Sequence, residues 1–117
     1  MAVFETSELA LDLTYQTHYY KTSYAELKKA YLEALEGLKH NIVSDNDDYC
    51  EIYSEIPHFI VIAKIIEQNP IETSIDFYIN SETMFGKEKH ALKFINYIYK
   101  KLEEKFEFKG VALHKEN

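Results

Sequence analysis

Residues Phe59-Ile60-Val61-Ile62-Ala63-Lys64-Ile65-Ile66 place apolar side chains at seven of eight successive positions. Neighbouring residues of a strand point to opposite faces. A strand over this stretch is therefore greasy on both sides, and it belongs in the middle of a sheet rather than at a half-wet edge. Its uninterrupted apolar part, Phe59 to Ala63, is far shorter than the ~20 residues that a membrane helix needs. A two-layer domain shelters one side of such a strand under helices, and the other side needs its own explanation.

The flanking sequence supplies partners for this strand. Pro57 and Pro70 punctuate it on either side, since proline has no N–H to give to a ladder. Tyr49 to Glu55 alternates and reads as a strand. Beyond Asn69-Pro70, Ile71, Thr73, Ile75, Phe77 and Ile79 alternate with Glu72, Ser74, Asp76, Tyr78 and Asn80, a period of two that predicts a half-buried strand. Leu9, Leu11, Leu13 and Tyr15 alternate with Ala10, Asp12 and Thr14, predicting a strand over Glu8–Tyr19. The cluster Ser44-Asp45-Asn46-Asp47-Asp48 reads as a polar turn.

Two segments have helical spacing. Ser23 followed by Glu26 fits a capping box, and Leu27, Tyr31, Ala34, Leu35 and Leu38 then form a stripe. A first helix is expected over Tyr24–Lys39. Gly86 precedes a second, Lys87–Glu107, with Ala91, Leu92, Ile95, Ile98, Tyr99, Leu102 and Phe106 as its apolar side. Phe108, Val111 and Leu113 allow a short last strand around Gly110. The expectation is one α+β domain, a two-layer sandwich of order β-α-β-β-β-α with an optional final β. It has a mainly antiparallel sheet of four or five strands and both helices on one face. The 117-residue length suits a single core.

Charge divides along this order. Residues 42 to 82 hold nine acids and one lysine, a net of −8. Residues 87 to 109 hold seven lysines and four glutamates, a net of +3. The whole chain carries −7, and all 13 of its basic residues are lysine. An acidic chain without arginine is poorly suited to phosphate backbones, so nucleic acid is disfavoured as a partner. One cysteine, Cys50, cannot form an internal disulfide, and the first residues lack a basic stretch before an apolar run. A reducing, cytoplasmic setting without membrane insertion is expected.

The face of the sheet away from the helices is the strongest candidate surface. With Ile71, Ile75 and Phe77 turned toward the helices, Glu72, Asp76 and Tyr78 turn away. On the neighbouring strand, Tyr49, Glu51, Tyr53 and Glu55 form the more polar set. Between them, one register presents Ile60, Ile62 and Ile66 around Lys64; the other presents Phe59, Val61, Ala63 and Ile65. An apolar centre with a Tyr/Glu rim resembles a cut interface. It points to partner binding through Tyr49, Glu51, Tyr53, Glu55, Ile60, Ile62, Lys64, Glu72, Asp76 and Tyr78. The partner is expected to be a second copy in a homodimer or a basic protein. The competing reading is that the N-terminal segment, with Val3, Phe4, Tyr15, Tyr19 and Tyr20, folds over this face.

Other constellations are weaker. Lys87, Lys89 and His90 at a helix start could meet a phosphate. Double-stranded RNA-binding domains share the α-β-β-β-α order with lysines at that position. Here Glu88 interrupts the lysines and the glycine-rich lead-in of that family is absent, so a solvated helix end is the simpler reading. His18, His40, His58, His90 and His114 are not at metal-ligand spacing. Asp45 to Asp48 lacks the glycine and terminal glutamate of a calcium loop. No nucleophile motif appears, and neither a catalytic residue, a cofactor nor a metal is assigned. A ligand-binding or enzymatic pocket between helices and sheet, lined by Tyr and Glu, is the alternative function class. An acidic inhibitor or immunity-type protein is a third.

Overall fold

The computed structural model describes residues 2–8, 10, 16–38, 40–57, 59–81 and 87–113. Seven strands and two helices are present among them: β1 Ala2–Glu5, β2 His18–Tyr20, α1 Tyr24–Glu36, β3 Asn41–Asn46, β4 Glu51–Ile56, β5 Phe59–Asn69, β6 Glu72–Ser81, α2 Lys87–Glu103 and β7 Phe108–Val111. The strands form one sheet of order β3-β4-β5-β6-β2-β7, with β1 also paired to β6. Every pairing between strands is antiparallel. The α+β class is as expected; the sheet has seven strands rather than four or five.

Local chemistry sets the helix limits. Ser23 takes extended backbone angles and its hydroxyl accepts the Glu26 N–H at 3.3 Å, so α1 starts where its first free donors are answered. The helix ends before the expected Lys39. The Ala34 carbonyl receives both the Gly37 N–H at 3.2 Å and the Tyr97 hydroxyl at 2.8 Å. A Cβ on Gly37 would stand 2.6 Å from the Tyr97 hydroxyl oxygen, so a larger residue there would have to displace that hydroxyl from the Ala34 carbonyl. The second helix also stops short, at Glu103 rather than Glu107. Lys105 and Phe106 both turn their N–H groups back to the Leu102 carbonyl, which frees Phe108 to enter β7.

The covered face of the sheet follows from the register. Val61 pairs with Ile79, Ala63 with Phe77 and Ile65 with Ile75, while Ile52 lies across from Ala63. All seven are buried, and they pack with Leu27, Tyr31 and Leu35 of α1 and Ile95, Ile98 and Leu102 of α2. Both helices therefore share this face. Burying an aliphatic side chain of this size is worth about 1.5 to 3 kcal/mol, so this layer supplies the main stabilisation. Thr73 is buried at its margin, and its hydroxyl donates to the Thr22 carbonyl at 2.7 Å, tying β6 to the entrance of α1.

Three local expectations are corrected. The strand expected over Glu8–Tyr19 is, among the described residues, confined to His18–Tyr20. The chain runs along β6 as β1, leaves after Thr6, and returns at Thr17, whose N–H bonds to the Ser7 carbonyl at 3.1 Å. Leu9 and residues 11–15 lie outside the described residues. The turn expected at Ser44–Asp48 is shifted to Asp47–Cys50, because Asn41–Asn46 forms the edge strand β3. Ile71, expected to point inward, is in the turn before β6 and is exposed. Asn69 Oδ1 accepts its N–H at 3.0 Å and closes that turn.

Candidate functional site

On the uncovered face, antiparallel register sets side chains in rows across the strands. One row runs Glu55, Ile60, Asn80 and Val3; the next runs Tyr53, Ile62, Tyr78 and Glu5; the third runs Glu51, Lys64 and Asp76. Ile60, Ile62, Tyr53 and Tyr78 are half-buried, while Glu55, Lys64, Glu5 and Val3 are exposed. No described segment lies over the centre of these rows. The N-terminal strand extends the sheet in its own plane. Phe4 packs into the helix-side core, and Tyr20 is buried there. Tyr19 does turn to the open face, at its margin opposite Ser74. Tyr15 lies outside the described residues.

Asp76 is the most elaborated group on this face. The Thr6 hydroxyl donates to its Oδ1 at 2.6 Å, and the Thr17 hydroxyl reaches both of its oxygens, at 2.8 and 2.9 Å. Thr6 Oγ1 also accepts the Phe77 N–H at 2.8 Å. The two threonines flank the point where the chain leaves and rejoins the edge of β6, so one carboxylate clamps both ends of that excursion. Burial raises the Asp76 pKa; the two hydroxyls and Lys64 oppose that shift, and Glu8 adds to it. Tyr19 donates its hydroxyl to the Glu8 carboxylate, and burial first, then Glu8, pushes its phenol upward.

A folded-state pKa above the unfolded one has a defined sign. The native chain holds the Asp76 proton more tightly than the unfolded chain does, so stability from this group falls as pH rises out of the carboxyl range. Asp76→Asn removes that dependence. Urea midpoints measured from about pH 4 to about pH 7 should show the native chain losing ground to the variant as pH rises above the usual carboxyl range, and levelling once Asp76 is ionised in the folded chain as well. A difference that stays constant across this range would refute the assignment.

The other expected surface residues divide. Tyr49 is in the β3–β4 turn and 69% exposed, outside β4 and its rows. Glu72 follows the alternation of β6 but is held by Lys109 at 3.3 Å. Glu51, Tyr53, Glu55, Ile60, Ile62, Lys64, Asp76 and Tyr78 are brought together. Lys64 has no carboxylate within 4.0 Å among the described residues, and it sits between Glu51 and Asp76 in register. A depression of about 260 Å³ opens beside it, lined by Glu5, Thr6, Glu51, Ile62 and Tyr78.

Lys87 opens α2, with Lys89 and His90 exposed on its first turn; residues 82–86, including Gly86, lie outside the described residues. Among the described residues no group of three His, Cys, Asp or Glu side chains is placed to hold a metal, and no helix is long and apolar enough to cross a membrane. Between the layers, Tyr20, Tyr31 and Tyr99 are core side chains; Tyr99 stacks on His18 at 3.5 Å between ring centres. A second depression, of about 620 Å³, lies between α1 and the β3–β4 turn. At its β3–β4 end Lys28 bridges Asp45 and Asp47 at 2.7 Å each, and the Tyr24 hydroxyl reaches Asp47 at 2.7 Å. Burial and that bond push the Tyr24 phenol up to about 12.

Sequence reasoning missed Thr6, Thr17 and Glu5. Thr6 and Thr17 are eleven positions apart yet meet on one carboxylate, and no local pattern marks that meeting. Glu5 belongs to a four-residue strand too short to show a period. No protein-family model, curated protein or solved structure matches the chain.

Proposed function

We propose that the protein works by binding another protein across the open face of its sheet, as a non-enzymatic interaction module. The supporting observation is the row Tyr53–Ile62–Tyr78, an aromatic–aliphatic–aromatic band that the helices leave uncovered. Interfaces favour such a centre, with large side chains of low conformational cost ringed by polar groups. Glu51, Glu55, Glu5 and Lys64 supply the ring here. A second copy or a basic protein fits this reading, in a cytoplasmic setting.

Site-specific photo-crosslinking in the source cells tests it. A photoreactive residue at Ile62 should give one discrete adduct, at twice the chain mass for a second copy or at another mass for a different protein. The same probe at Lys93, exposed on α2, should give none. Equal labelling from both positions, or no discrete adduct from Ile62, would remove the proposal.

A further inference from the structure

We infer that the occupant of the open face is a basic polypeptide surface, one presenting lysine or arginine around a small apolar centre, rather than a second copy of this chain. This deepens the docking reading and rests on it. Glu5, Glu51, Glu55 and Asp76 lie in the three rows, and Lys64 is the single basic side chain among them. Asp76 is already committed to Thr6 and Thr17. Glu5 and Glu51 are not so committed, and Glu55 has only Asn41 as a side-chain partner at 3.2 Å.

Two physical consequences select the partner. A two-fold dimer sets the same patch against itself, so three carboxylates per copy without a cation partner among the described residues, Glu5, Glu51 and Glu55, would face three more with one lysine each to offset them. Like charges brought together in this way cost free energy and suppress that pairing. The opposite side of the molecule mixes exposed Lys29 with Glu26, Glu33 and Glu36 on α1, and Lys89, Lys93, Lys100 and Lys101 with Glu103 on α2, so its charges nearly cancel. A basic partner is therefore drawn to the acidic sheet face in preference to the near-balanced helix layer. The depression beside Lys64, about 260 Å³, has Ile62 and Tyr78 at its middle strands and Glu5 and Glu51 on the flanking strands, which matches the two parts of a long basic side chain. Its hydrocarbon stem packs on the apolar wall while its head meets the acids.

The test uses the whole chain, labelled with ¹⁵N, and two synthetic peptides that alternate Leu with Lys or Leu with Glu. Titrations are run at about 10 mM and about 150 mM salt, where the screening length falls from about 30 Å to about 8 Å. The Leu-Lys peptide should shift amide signals of β4, β5 and β6 and weaken at least about tenfold at the higher salt. Glu51→Lys combined with Glu55→Lys, both substitutions away from the core, should weaken it by a similar factor while the spectrum stays dispersed. Equal binding of the Leu-Glu peptide, or shifts centred on α1 and α2, overturns the inference. Light scattering of the peptide-free chain separates the two readings. A dimer dispersed by Ile62→Asp would make a second copy the occupant, so that this inference fails and the docking reading stands. If the chain stays monomeric and neither peptide shifts the sheet, both fail.

Discussion

Phe77→Ala should lower the unfolding free energy by about 3 to 5 kcal/mol, the usual cost of emptying a core position of an aromatic ring. Phe77 is only 2% exposed. Its ring lies between both helices: Tyr31 of α1 is 6.1 Å away, Phe94 of α2 meets it edge-on at 5.9 Å and 80°, and Tyr99 is also 5.9 Å away. Alanine removes all three contacts at once, and the neighbours are rings that cannot bend into the gap. The backbone bonds survive, because the Phe77 N–H and carbonyl are paired with Thr6 through main-chain atoms of Phe77. The loss is thus one of packing. Domains of this size are stable by about 5 to 15 kcal/mol, so the variant should show a large drop in urea midpoint with an unchanged slope. A loss below about 1 kcal/mol would mean that the three rings do not form a rigid cage.

Ile65→Ala and Ile62→Ala should differ sharply, although the residues are three apart on the same strand. Ile65 is fully buried opposite Ile75 on the covered face, and its truncation should cost about 2 to 5 kcal/mol. Ile62 is half-buried opposite Tyr53 and Tyr78. Its truncation should cost about 1 kcal/mol or less in the isolated chain, in the range of surface changes. The same Ile62→Ala change should act mainly on partner binding if the open face is the docking surface. Urea titration of both variants decides the matter: equal costs would mean that the two faces of β5 are equally enclosed, and the case for an open docking surface would collapse.

The parts of the fold that were legible are those with a strict period and a one-sided environment. The alternation from Thr73 to Asn80 identified β6 and assigned Asp76 and Tyr78 to the open side, because each residue type there matches its neighbour layer. The stripes beginning at Leu27 and Ala91 identified α1 and α2 for the same reason. β3 was illegible because Asn41 to Asp45 are all exposed at the sheet edge; with neither face buried, no selection for alternation remains. The leucine alternation near residue 10 falls on Leu9, Leu11, Leu13 and Tyr15, which lie outside the described residues; of the expected strand, His18 and Tyr19 belong to β2. The eight residues gathered on the open face were legible through register, whereas the Thr6–Asp76–Thr17 clamp depends on a meeting of segments some seventy residues apart.

The position of β2 bears on how the molecule is assembled over time. Three residues, His18 to Tyr20, lie between β6 on one side and β7 on the other. Each neighbour belongs to a distant part of the chain, and the second, Phe108–Val111, is separated from β2 by nearly the whole domain. Distant pairings of this kind slow the search for the native state. During synthesis the early strand must therefore wait, one edge unfilled until β6 emerges and the other until β7 does. The hairpin series β3 to β6 can zip up first, from neighbours in sequence, and act as the template on which the ends of the sheet are later laid.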